Sequence, residues 1–228
     1  MNAQSGTNWT RAGLVVLPVY GLLTAWSSLT PQPDQTSDPD GWARFVSAPS
    51  YLVSHLVGSV GGTILAIFGI FALGVYLAPT RAGRLALSSM VVTVLGQALL
   101  MVPAVISTFA TPAIGRAYLA GLGDVMQIQF SDTLTVTFLL GLLLAFVGSV
   151  LLGVAMWRSH TVPRGAAVLW IIAVVVFYPL GVVLGVATVN ASLPTQSIGA
   201  LLIAISGGWI AWDAFGGRRE RSKVAAPA

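Results

Sequence analysis

Across six long apolar stretches, residues 12–29, 51–78, 85–110, 133–157, 166–189 and 197–215, this chain carries a single formally charged side chain, Asp213. A helix needs about 20 apolar residues to cross about 30 Å of hydrocarbon, and a charge near its centre costs about 3 kcal/mol or more. Stretches this long and this free of charge call for transmembrane helices. The expected fold is an all-α bundle of six spans, a single transmembrane domain over residues 1–217, followed by a disordered basic tail, 218–228.

Composition excludes the soluble alternative. Only 8% of the 228 residues are charged and 56% are hydrophobic, whereas a soluble domain carries about 25% charged residues to cover its surface. The net charge of +4 is therefore a matter of topology, and no nucleic-acid partner is expected. With no cysteine there is no disulfide framework, thiolate metal site or cysteine nucleophile. Arginine greatly outnumbers lysine among residues rich in Ala, Gly and Val. That bias resembles a GC-rich bacterial coding sequence and points to a bacterial cytoplasmic membrane.

Basic residues set the orientation. With the N-terminus cytoplasmic, Arg11, Arg81, Arg84, Arg158, Arg164 and the tail cluster Arg218, Arg219, Arg221 and Lys223 lie inside, and only Arg44 and Arg116 lie outside. Positive charge retained on the cytoplasmic side is the rule for short loops, so both termini are expected there. The alternative is that residues 12–24 form the apolar part of a cleaved leader, with Ala25 and Ser27 as its small residues; five spans would then remain. The inner loops at 79–84 and 158–165 are tight basic turns, which makes their flanking helices antiparallel neighbours. The outer loops are longer. Trp42, Phe45 and Val46 have the spacing of one interfacial turn lying on headgroups, and residues 112–120 are a candidate for a second short helix.

A weak internal repeat runs through the even-numbered spans. Leu65-Ala66-Ile67-Phe68-Gly69 and Leu73-Gly74-Val75 align with Leu144-Ala145-Phe146-Val147-Gly148 and Leu152-Gly153-Val154, and Ile203-Ala204-Ile205-Ser206-Gly207 echoes the first block. The implied arrangement is a set of parallel hairpins related by an axis along the membrane normal. Glycines at 58, 61, 62, 69, 74, 181, 185, 207 and 208 are the expected points of close helix approach, which replaces the hydrophobic drive that lipid removes.

The polar residues admitted at depth are the candidate site. Taking each stretch's midpoint as the bilayer centre puts Tyr20, Gln97, Tyr178 and Ser206 at one level, with Thr93 on the same face as Gln97. Pro18, Pro103 and Pro179 lie in the same helices as the first three, and each deletes a backbone donor. A polar midplane beside proline-broken helices is where transporters place ligands. A second constellation is His55 with Asp132, expected at corresponding ends of two helices, where a carboxylate could orient an imidazole. Asp213 near the inner boundary, beside Trp209 and Trp212, is a third candidate, as a proton donor or as an interfacial ion pair. His160 lies in a cytoplasmic loop and no second His is near His55 at the outer end of its helix, so neither metal nor haem ligation is expected, and no cofactor.

Three classes of function fit. The first is a small-molecule permease or ligand-binding membrane protein using Gln97, Tyr178, Tyr20, Ser206 and Thr93. The second is a membrane-embedded enzyme on an isoprenoid or lipid-like substrate, with His55, Asp132 or Asp213 as its catalytic group. The third is a non-catalytic subunit or scaffold. Expected partners are membrane lipids, a small hydrophobic ligand or another membrane protein. The chain holds no phosphate-binding loop, no GxSxG and no HExxH.

Overall fold

In hydrocarbon every backbone N–H and C=O must be satisfied within its own segment, so apolar stretches of this length become helices. The computed structural model describes residues 3–128, 131–189 and 193–224, and it is 86% helix with no strand among those residues. The helices are α1 (Ala3–Leu14), α2 (Val16–Ser27), α3 (Pro39–Ser47), α4 (Pro49–Leu77), α5 (Gly83–Leu119), α6 (Asp132–Ser159), α7 (Arg164–Thr188) and α8 (Pro194–Val224). Five of them, α4 to α8, are long and apolar enough to cross a membrane. Their outward faces are apolar too, as at Ile64, Phe68, Phe71 and Val75 on α4 and Val136, Leu139, Leu140 and Leu143 on α6. An exposed apolar belt on this scale marks a multi-pass membrane protein.

The first apolar stretch takes a different form from the other five. It breaks at Val15 into α1 and α2, twelve residues each. Pro18 has no N–H to give the Leu14 carbonyl and its ring crowds the preceding turn, which is why the helix is interrupted there.

Packing closes a ring. Helix α2 lies against α4, α4 against α5, α5 against α6, α6 against α7 and α7 against α8, and α8 returns to α2. Small residues permit the close approaches. A Cβ on Gly96 would strike the Ala145 backbone, one on Gly148 would sit 2.6 Å from the Thr93 nitrogen, and one on Gly199 would sit 2.5 Å from the Phe177 nitrogen. Gly69 abuts Leu17 of α2 and Gly74 abuts Met90 of α5; Gly148 abuts Thr93 of α5 and Gly153 abuts Ile171 of α7. By contrast Gly208 has room for a Cβ, and at Gly61 one would meet only the Leu56 carbonyl of the same helix, at 3.3 Å.

Three further details depart from the sequence reading. Helix α5 runs unbroken through Pro103 and Pro112 for 37 residues, about 55 Å at 1.5 Å per residue, so no separate helix forms at 112–120. Its projecting end receives α3. Trp42 and Val46 are buried there among Ile114, Tyr118 and Met126, so the apolar face of α3 meets protein where headgroups were expected. Asp38 caps α3 by accepting the Gly41 N–H at 2.9 Å, with Pro39 in the first turn, the residue types a helix start favours. Finally, α8 continues into the basic tail as far as Val224; residues 225–228 lie outside the described residues.

Candidate functional site

Two helices in the ring widen locally. In α4 the turn from His55 to Gly61 is π-helical, and in α7 the turn from Tyr178 to Val183 is π-helical. Each has a local cause. The α4 segment contains Gly58 and Gly61, whose missing side chains make the wide turn accessible, and Gly58 rests against Ser27 and the Leu23 carbonyl of α2. The α7 segment contains Pro179, which cannot donate to the Val175 carbonyl four residues before it; nearby, the Leu180 carbonyl accepts the Thr195 hydroxyl of α8 at 2.7 Å. Single π turns inside α-helices recur at functional sites.

Both wide turns border the same space, a cavity of about 480 Å³ on the α3 side of the bundle. Its walls mix hydroxyl and amide groups with apolar surface, whereas the outward faces of the surrounding helices are apolar. Thr24 and Ser27 come from α2 and Ser28 from the position just after it, and Ser50, Ser54, Ser59 and Thr63 from α4; Gln196 of α8, Trp26, Gln32 and Phe45 also line it. Among the described residues no Asp, Glu, Lys or Arg lines it. Several hydroxyls are held by carbonyls of their own helix, such as Ser54 on Tyr51 and Thr63 on Ser59. Such hydroxyls retain lone pairs with which to accept a further hydrogen bond.

At the buried end of the cavity lie Tyr20, Gln97 and Tyr178. The Gln97 amide donates to the Tyr178 hydroxyl at 2.8 Å, and the Tyr20 hydroxyl interacts with both. Three helices thus deliver three hydrogen-bonding groups to one point. Phe177 and Phe146 meet the Tyr178 ring edge-on, with centroids 4.8 and 6.3 Å away, and fix its plane.

His55 sits on the wall above. Its ring stacks on Tyr51 with centroids 3.8 Å apart, and its Nδ1 lies 3.0 Å from the Tyr51 carbonyl. A carbonyl can only accept, so Nδ1 carries the hydrogen and Nε2 is left as an acceptor. Tyr51 is itself anchored by the Ser107 hydroxyl of α5 at 2.9 Å.

The other sequence candidates lie elsewhere. Thr93 is buried and donates to Ser89 of its own helix at 2.7 Å, against Gly148. Ser206 is buried and donates to the Ala166 carbonyl at 2.9 Å, tying α8 to α7. Neither borders the cavity. Asp132 is exposed in the first turn of α6, where Ser131 rather than Asp132 occupies the capping position. The partner of His55 is Tyr51, not Asp132. Asp213 is half-buried at the arginine-rich end, away from the cavity. Among the described residues no group of His, Asp and Glu is arranged to hold a metal ion.

No family model, curated protein or solved structure matches the chain.

Proposed function

We propose that the cavity binds a small uncharged polar molecule and is the outward-open half of a permeation path. The observation that carries this reading is a 480 Å³ space lined by hydroxyl and amide groups together with aromatic rings, without a formal charge among the described residues, ending at the Gln97–Tyr178 hydrogen bond. Volumes of a few hundred Å³ suit metabolite-sized ligands. A charged ligand would lose its hydration with no counter-ion in these walls, at a cost of several kcal/mol. A neutral ligand exchanges water hydrogen bonds for those of Ser, Thr, Gln and Tyr at little net cost. Below Tyr20 the path is closed by Leu14, Leu17, Ile70 and Leu73, all buried, so passage requires the ring to open there.

The proposal includes the membrane topology. Helix α2 alone is about 18 Å long, and α1 with α2 about 36 Å, at 1.5 Å per residue; the pair together makes a sixth crossing, with both termini on the arginine-rich, cytoplasmic side of a bacterial membrane. It also includes a repeated hairpin. Gly69 and Gly148 each face the preceding helix of the ring and Gly74 and Gly153 each face the following one, as equivalent positions in two parallel units would. Gly207 instead meets Leu17 of α2, so the third unit deviates.

Reconstituted vesicles test the reading. Stopped-flow light scattering with glycerol, ribitol or urea outside should show faster entry than into protein-free vesicles, and Gln97→Leu should reduce that rate by about tenfold while the purified yield stays unchanged. Entry no faster than through lipid for every neutral solute, or a Gln97→Leu rate equal to wild type, sinks it.

A further inference from the structure

A second recess lies at the arginine-rich end, between α6, α7 and α8, and shares no residue with the cavity above. It has a volume of about 530 Å³ and is open along its length to the outer surface of the bundle. Its floor is one stripe of α7, Gly165, Val168, Leu169 and Ile172, the i, i+3, i+4, i+7 spacing of a single helix face. Trp157 of α6 forms one wall and Trp209 of α8 the other, each nearly half exposed. Gly165 allows this shape: the Trp209 ring edge lies 2.7 Å from where its Cβ would be. A larger residue there would push Trp209 off α7.

The stripe is about 10 Å long at 1.5 Å per residue, enough for the first half of one acyl chain. At its polar end Arg164 holds its guanidinium 5.4 Å from the Trp157 ring centre. That contact orients the charge without neutralising it, since a ring face offers no formal negative charge. Among the described residues no carboxylate pairs with Arg164, and Arg81, Arg84 and Arg158 belong to the two turns at the same end. Arg81 and Arg158 are held together there, the Arg81 Nε donating to the Arg158 carbonyl at 2.6 Å. An apolar slot that ends at an unneutralised arginine, with more arginines around it, complements one class of molecule.

We infer that this recess is a binding site for an anionic phospholipid, with one acyl chain along Val168 and Ile172 between the two tryptophans and the phosphate at Arg164. Basic groups flanking membrane helices attract anionic headgroups by about 1 kcal/mol each. The groove adds selection for a chain over a free anion, and the tryptophans lie at the depth where indole rings favour the membrane interface.

Native mass spectrometry of the full chain released from mixed micelles of phosphatidylglycerol and phosphatidylcholine tests the site. The expected result is preferential retention of phosphatidylglycerol, a several-fold drop in that preference for Arg164→Gln, and reduced retention of both lipids for Val168→Trp, which fills the groove. Leu139→Trp on a distant outward face should retain lipid as wild type does. If a variant cannot be purified, the wild type still decides: adding millimolar inorganic phosphate should leave phosphatidylglycerol bound. Equal retention of the two lipids, an unchanged preference in Arg164→Gln, or displacement by inorganic phosphate overturns the assignment, the last by showing a site for free anions.

Discussion

The half of the bundle next to the arginine turns and the half beneath α3 are made by the same helices but filled differently. Almost all of the largest fully buried side chains, among them Trp170, Leu17, Ile70, Leu77, Leu152 and Met156, lie toward the arginine turns. On the α3 side the ring encloses the cavity, its two wide turns and the hydroxyl-bearing walls. The difference shows where the chain has placed its stability. One half is a close-packed clamp joined by short turns, and it holds the helices in register. That leaves the other half free to keep a polar void, which contributes no packing energy of its own.

The largest effect that could break this contrast is a cavity made in the packed half. Trp170 is buried and its Nε1 donates to the Ser149 carbonyl at 3.0 Å. Trp170→Ala should cost about 3–5 kcal/mol, read as a large fall in the thermal unfolding midpoint of purified protein. Thr63→Ala on the cavity wall should cost less than about 1 kcal/mol, because it removes only a hydroxyl bond to its own helix. Comparable losses for the two substitutions would mean that the halves do not differ in how they are held.

A smaller effect separates structural from functional polar groups buried in the same bundle. Ser206 and Gln97 are both buried near the middle of their helices; one bonds the Ala166 carbonyl, the other borders the cavity. Ser206→Ala should lower stability by about 1 kcal/mol and leave solute entry into vesicles at the wild-type rate. A loss of entry in Ser206→Ala matching that of Gln97→Leu would extend the functional region into the packed half.

Much of this was legible in the sequence because lipid leaves few choices. Charge-free stretches gave the five long helices, basic turns gave the antiparallel pairs, and depth alone brought Tyr20, Gln97 and Tyr178 to one level. Segment midpoints fix depth only coarsely, so Ser206 and Thr93 proved to lie nearer the arginine turns: Ser206 reaches the Ala166 carbonyl, and Thr93 sits one turn below Gln97 on the same face, against Gly148. The α4 wall was hidden for a different reason. Ser54 and Ser59 are five residues apart, a step that leaves one face of an α-helix, and only the π turn from His55 to Gly61 returns them to a common side. No periodicity search tuned to 3.6 residues finds such a stripe. Likewise α3 showed an apolar face, but the sequence does not say whether lipid or the far end of α5 covers it. Gly115 is the residue that decides, because a Cβ there would lie 2.9 Å from the Ala43 carbonyl and closer still to Val46 and Ser47, so its absence lets α3 pack on α5.

The smallest effect concerns the two ends themselves, where one exposed titrating group on each side is shifted in the same direction by different physics. Asp34 accepts the N–H groups of Ser37 at 2.8 Å and Thr36 at 3.0 Å, and these donors hold its carboxyl below the usual carboxylate range. His160 faces Arg81 and Arg164, whose charges oppose its protonation and lower it from the usual imidazole value. Both folded-state values are depressed. For each, the contribution to stability is therefore present above the unfolded value, about pH 4 for Asp34 and about pH 6.5 for His160, and is lost as pH falls through the folded one. Salt distinguishes them. At about 1 M salt the screening length falls to about 3 Å, so an NMR titration should find His160 returning toward its ordinary value while Asp34, held by direct hydrogen bonds, stays low. Arg81→Gln should raise His160 in the same direction without added salt. A His160 midpoint that ignores both salt and Arg81→Gln would show that the arginine turns do not act on it as a concentrated positive charge. The electrostatic contrast between the two ends would then lose its support.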